Sequence, residues 1–207
     1  MEFLDAIFVI AVIVMSAVIH EVMHGVAAER LGDPTARLQG RITLNPVSHL
    51  DPVGSVFLPI ILVLTHAPIF FAWAKPVPYN PYNLRPGRFS EAIVAGAGPA
   101  SNLAMALIGG LFTRLGVLGG MSDIVFTIVL VNVMLFFFNL IPIPPLDGSK
   151  VLTSILPRGL AVLYDRLRSY MEWNPLLGFG AVVLLIVLAG GTFSDLIWSI
   201  TRAIVGA

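Results

Sequence analysis

Val12-Ile13-Val14-Met15-Ser16-Ala17-Val18-Ile19-His20-Glu21-Val22-Met23-His24-Gly25 sets three ionisable side chains inside an apolar segment spanning residues 3–29. Such side chains are expensive in hydrocarbon, and their presence at membrane depth points to function. A helix places positions i and i+4 on one face, so His20 and His24 are spaced to hold one metal ion. Glu21 follows the first of them and is placed to act as general base for a water activated there. The alternative is a structural metal site or a satisfied histidine pair. A structural site is normally closed by Cys or additional His.

Composition agrees with the membrane reading. The 207 residues are 57% hydrophobic and 12% charged, with a mean hydropathy of +0.91. Soluble domains carry about 25% charged residues. The formal net charge of zero argues against nucleic acid as a partner, and no nucleotide is expected either. There is no cysteine, so a metal must be held by nitrogen and oxygen donors. The start, Met1-Glu2-Phe3-Leu4-Asp5, is acidic, whereas a secretory signal has a basic n-region. The first segment is therefore read as a retained transmembrane helix.

Along the chain, Gly32 suits the end of the first helix. Residues 35–44, with β-branched residues, partial alternation and a central glycine, predict a short membrane-associated β-hairpin. Residues 52–72 are apolar but broken by Pro59 and by Thr65-His66-Ala67-Pro68. Lys75 to Pro86 is a proline-rich extended loop. A helix is expected over 90–115, its small residues Gly96-Ala97-Gly98-Pro99-Ala100-Ser101 allowing close approach. Another covers 123–141, ended by Pro142, Pro144 and Pro145, with Asp147 placed to cap the helix that follows. Residues 158–172 look interfacial. Residues 176–190 are apolar, Gly190-Gly191 breaks the run, and a shorter piece follows from Asp195.

Asp147 is the natural third ligand, and it must then share a depth and a side with His20 and His24. That holds if residues 52–72 form a re-entrant hairpin rather than a full crossing. On this reading Arg30, Arg37, Arg41, Lys75, Arg85, Arg88, Lys150, Arg158, Arg166 and Arg168 fall on one side. Only Arg114 and Arg202 lie elsewhere, and Glu2, Asp5 and Asp123 fall opposite. The positive-inside rule makes the basic side cytoplasmic and puts the N-terminus outside. The expectation is an all-α integral membrane protein, a single domain over residues 1–207, with about four transmembrane helices plus the two hairpins. The core helices are about 3–29, 90–115 and 123–157, the re-entrant insert about 52–72 and the C-terminal helices about 158–205. The expected location is a prokaryotic cell membrane, multi-pass, with the site near the cytoplasmic face.

His20-Glu21-Val22-Met23-His24-Gly25, Gly96 to Asn102, and Asn139-Leu140-Ile141-Pro142 leading to Leu146-Asp147-Gly148 together resemble the site-2 protease family, the intramembrane metalloproteases of peptidase family M50. The resemblance covers the three core helices. It implies one zinc ion at His20, His24 and Asp147, with Glu21 catalytic and Asn139 holding the substrate backbone near the scissile bond. It implies that the β-hairpin pairs with an unwound substrate strand, and that the partners are a transmembrane protein substrate and the lipid bilayer. No PDZ domain or CBS pair is expected, which points to a compact subgroup.

Other candidates keep two readings each. His49 either orients substrate or the metal's surroundings, or is a loop histidine bonded to Asp51 or backbone. Asn102 either bonds exposed substrate backbone or bonds helix to helix. His66 either stabilises the hairpin turn or binds metal. The leading function is a zinc endopeptidase that cuts transmembrane segments of other proteins. The alternatives are a metal transporter, which would usually show internal repeats, and an inactive scaffold that binds membrane helices.

Overall fold

A computed structural model describes residues 3–57, 61, 64, 65, 74–117 and 122–206. Among these residues every regular element is helical. Helix α1 (Phe3–Arg30) carries Asp5 in its first turn and Arg30 in its last, the charge order that complements the helix dipole. Gly32, at φ 109°, turns the chain out of α1, and the Asp33 amide bonds back to the Ala28 carbonyl at 2.9 Å. Helix α2 is a single turn, Thr35–Leu38.

Helix α3 (Ser90–Arg114) is the hub. It packs against α1, α4 (Ser122–Asn139), α5 (Asp147–Ile155) and α7 (Pro175–Val205). Small residues make this possible, because they let backbones approach closely. A Cβ on Gly110 would lie 2.7 Å from the Ile204 carbonyl oxygen. Val125, Val129 and Val133 recur at helical spacing on α4 and bury themselves with Ala106 of α3 and Ile197 and Val205 of α7. Helix α6 (Arg158–Trp173) lies between α5 and α7 in sequence, and its Leu160, Leu163, Leu167 and Trp173 are exposed.

Three helices are long and apolar enough to cross a membrane: Ile7–Arg30, Ser90–Arg114 and Leu176–Val205. Asp123–Asn139 is apolar but shorter. Ile10, Ile13, Leu107, Ile108, Leu111, Leu184 and Leu188 stand exposed on these helices, as apolar side chains do against lipid.

Two expectations are corrected. No β-hairpin forms at 35–44: among the described residues there is no strand, and α2 occupies its first half. Asp33 accepts from the Thr35 amide and starts a helical turn instead, which Gly40, at φ 64°, then closes. Ile42 and Val77 do lie together against Gly25. But Pro76 and Pro78 lack the donors that a ladder needs, and Arg41 Nη2 bonds the Lys75 and Pro76 carbonyls, at 3.0 and 3.3 Å. The second correction is α7, which runs unbroken through Gly190-Gly191. In apolar surroundings each amide must bond within its own helix, which outweighs the glycine cost of about 1 kcal/mol per residue. Of the expected re-entrant hairpin, Pro52–Phe57 is a π-helical turn. Residues 58–60, 62, 63 and 66–72, His66 among them, lie outside the described residues.

Candidate metal centre

The spacing of His20 and His24 brings both rings to the α1 face that meets α3. There Gly98 provides the room. A Cβ at Gly98 would lie 2.6 Å from Nε2 of both histidines. Pro99, next along, cannot donate to the carbonyl four residues back and opens this turn of the helix. The third partner comes from a distant part of the sequence, the segment that follows α4. After α4 the chain passes through Pro142, Pro144 and Pro145, the last two joined by a cis peptide. It then folds back so that the Leu140 carbonyl lies against Gly148, where a Cβ would come within 2.1 Å of it. That turn delivers Asp147 to the histidines. Asp147 Oδ2 is 3.1 Å from His20 Nε2 and 3.2 Å from His24 Nε2, and the two Nε2 atoms are 3.1 Å apart.

This donor set fits zinc. Two imidazole nitrogens and a carboxylate oxygen leave a fourth position for water or substrate, and tetrahedral bonds of about 2.0–2.1 Å put ligand atoms about 3.3–3.4 Å apart. The ring tautomers are fixed by what stands behind them. His24 Nδ1 donates to the Val94 carbonyl at 2.7 Å. His20 Nδ1 donates to Asn102 Oδ1 at 2.6 Å. The orientation of the Asn102 amide is set in turn, since its Nδ2 donates to Asn132 Oδ1 at 2.9 Å. Asn132 Nδ2 donates to Ser16 Oγ at 3.0 Å and to the Ile128 carbonyl at 2.9 Å. Asn102 and Asn132 are both fully buried. With each Nδ1 carrying the proton, each Nε2 lone pair would be free to hold a metal ion.

His20, His24 and Asp147 line a cavity of about 170 Å³, together with Glu21, Asn139, Tyr79, Lys150 and the segment Pro76–Val77. Glu21 Oε2 accepts from the Val77 amide at 2.8 Å, which aims the carboxylate. Asn139 bonds the Leu135 carbonyl at 2.9 Å through Nδ2 and is part of the cavity wall. Asn102 sits behind His20 rather than on the cavity wall. His49 is farther off: it is buried, its Nε2 donates to the Thr43 carbonyl at 2.9 Å, and its own carbonyl accepts from the Lys75 amide at 2.8 Å. It ties residues 43–49 to the segment that covers Glu21.

That segment is anchored at its other end by Asp33, which is fully buried. Asp33 accepts from the Asn80 amide at 2.6 Å and from Asn83 Nδ2 at 2.9 Å. Burial pushes its carboxyl up, but hydrogen bonds from Thr35, Asn83 and Asn80 outweigh burial and hold it below its ordinary value. Sequence reading did not reach Asn132, Ser16, Val94, Val77, Tyr79 or Lys150. Only Lys150 carried a readable signal, since it is one helical turn from Asp147.

Residues 114–166 match the model of peptidase family M50, a stretch that contains Asp147. Over 206 residues the chain is 34% identical to "Putative zinc metalloprotease YwhC" of Bacillus subtilis (strain 168), with 95% of this chain and 86% of that one covered. It is 31% identical over 154 residues to "Putative zinc metalloprotease Rip2" of Mycolicibacterium smegmatis, covering 70% of this chain and 56% of that one. The Rip2 protein of Mycobacterium tuberculosis (strain ATCC 25618 / H37Rv) is 29% identical over the same shares. No solved structure matches at the level of significance these relatives reach. The chain belongs to peptidase family M50.

Proposed function

We propose that this zinc metalloprotease is an intramembrane endopeptidase, which hydrolyses peptide bonds within transmembrane segments of other proteins. One observation carries the reading: His20, His24 and Asp147 converge within a bundle whose long helices are apolar enough to cross a membrane. When bound, zinc supplies a Lewis acid that polarises a carbonyl and eases the ionisation of water. The chain's own residues do the rest. Asn102 and Val94 hold the two imidazoles in the required tautomer. Glu21 takes a proton from the attacking water and later gives it to the leaving nitrogen. Asn139, on the cavity wall, holds the substrate main chain. A substrate helix must unwind locally, because a helical peptide carbonyl is shielded by its own hydrogen bond.

The proposed topology has four crossings, with Asp123–Asn139 as the short one and the N-terminus outside. The contacts of the cations support it. Arg85 is joined to the end of α1 through its amide and the Leu31 carbonyl at 2.7 Å. Arg88 Nε donates to the Ser154 carbonyl at 2.8 Å, and Arg168 pairs with Glu91 at 2.8 Å. These groups share the end of the bundle where α1 finishes and α3 begins. Arg114 instead bonds the Ile204 carbonyl at 2.9 Å, at the opposite end. Basic residues on the first end make it cytoplasmic, and residues 52–72 then enter and leave from that side. The test of function is Glu21→Gln. Comparison of membrane proteomes should show a full-length membrane protein accumulating in the variant, with zinc content unchanged. Identical proteomes would count against a proteolytic role.

A further inference from the structure

Lys150 is a cation in the metal cavity with no part in ligation or base catalysis. It stands three residues after Asp147 on α5, so the two side chains share a face. The cavity wall includes both, together with Glu21 and Tyr79. Its Nζ lies 5.1 Å from the centroid of the Tyr79 ring. None of the ion pairs among the described residues includes Lys150. The carboxylate beyond the ring, Glu91, is already taken: its Oε1 accepts from Arg168 Nη1 at 2.8 Å and from the Tyr79 hydroxyl at 3.4 Å. The Tyr79 hydroxyl thus bonds Glu91 and also lies within reach of Lys150, whose Nζ stands over the ring. Asp147 and Glu172 attract the Lys150 charge without forming an ion pair with it. A lysine serving only as an interfacial anchor would extend its charge to water instead.

We infer that Lys150 is a catalytic residue, whose ammonium donates a hydrogen bond to the carbonyl oxygen of the scissile peptide. The inference rests on the proteolytic reading above. In the step concerned, the water oxygen bonds to the carbonyl carbon, the water proton passes to Glu21, and the C=O π pair moves onto oxygen. One negative charge thus leaves the Glu21 carboxylate on α1 and appears on the carbonyl oxygen. A fixed cation on the α5 wall stabilises the charge at its new position and needs no reorganisation to do so. Lys150 keeps its proton throughout. When the C–N bond breaks, the oxygen's electron pair re-forms the carbonyl, and the proton held by Glu21 goes to the departing nitrogen. Tyr79 is a positioning residue that acts through Lys150.

The test uses the full chain in liposomes with wild type, Lys150→Met, Lys150→Arg and Glu21→Gln. It reads four quantities: kcat and KM on a transmembrane substrate, zinc per protein, and the affinity of a peptide phosphinate, whose tetrahedral anion resembles the reacting centre. Removing one oxyanion donor typically costs about 100- to 1000-fold in kcat. Lys150→Met is expected to show a loss of that order with KM and zinc content unchanged, a parallel loss of phosphinate affinity, and partial recovery in Lys150→Arg. Wild-type kcat and phosphinate affinity in Lys150→Met would overturn the assignment while leaving Glu21-dependent cleavage intact. A loss that follows zinc content would overturn it too. If wild type leaves the transmembrane substrate whole but phosphinate affinity still falls in Lys150→Met, the intramembrane reading fails and Lys150 keeps its place beside the reacting centre.

Discussion

Gly98→Ala tests whether the histidines are held where they are by the absence of one methyl group. The added Cβ would lie 2.6 Å from His20 Nε2 and from His24 Nε2 and Cε1. That is about 0.8 Å short of the 3.4 Å where ordinary contact begins, so both imidazoles or the whole of α3 must shift by nearly that much. A metal site tolerates errors of only about 0.2 Å in its bonds. Overpacking costs typically 1–3 kcal/mol, and alanine in place of glycine returns about 1 kcal/mol of helix propensity. The net penalty of about 0–2 kcal/mol should leave the helices folded while the site is lost. Zinc affinity is expected to fall by more than about 100-fold, beyond the 10–100-fold typical of outer-sphere changes. Gly96→Ala is the control, because a Cβ there meets nothing within 4 Å; it should bind zinc as wild type does. Zinc titration of detergent-purified protein, with circular dichroism to confirm helicity, reads both. Wild-type zinc affinity in Gly98→Ala would refute the reasoning.

Asn102→Leu removes the acceptor that fixes the His20 tautomer; zinc affinity measured by competition with a chelator should fall 10–100-fold. Asp33→Ala removes a buried acceptor of several hydrogen bonds and should destabilise the fold by about 2–4 kcal/mol, read as a lowered thermal midpoint. Because the folded Asp33 carboxyl lies below its ordinary value of 3.8, its contribution is complete above about pH 4 and is lost as pH falls through the folded value. The difference in midpoint between wild type and Asp33→Ala should therefore shrink in acid. Tyr82 is 96% exposed, and the proposed topology puts it on the cytoplasmic side, so Tyr82→Cys should react with an impermeant thiol reagent only in inside-out vesicles. Labelling from the exterior alone would contradict the topology.

The site was legible where chemistry overrides the membrane's preference for apolar residues. His20, Glu21 and His24 announce themselves at helical spacing in a hydrocarbon-length segment, and Asp147 does so behind three prolines. Helix ends were legible for α1, α3, α4 and α6, because glycine, proline and charge mark them. Residues 35–44 misled because the β-branched Thr35, Ile42 and Thr43 stand about a central Gly40 with partial alternation, while the controlling groups lie elsewhere. Asp33 sets the helical turn, and Pro76 and Pro78 deny the pairing that a strand would need. Gly190-Gly191 misled because its propensity cost is small beside an unsatisfied amide in lipid. Asn132 and Ser16 could not be found by pattern. Each is a polar residue flanked on both sides by apolar ones, and only the packing of α1, α3 and α4 joins them to His20.

The proposed activity requires cleavage within the hydrophobic span of a substrate. Wild type and Glu21→Gln, each loaded with one zinc per chain, would be reconstituted in liposomes with a single-span membrane protein, and the products sequenced by mass spectrometry. The account predicts new termini within the hydrophobic span for wild type, and intact substrate for Glu21→Gln with its zinc retained. Cleavage confined to the soluble flanks, or cleavage by Glu21→Gln at the wild-type rate, would contradict it.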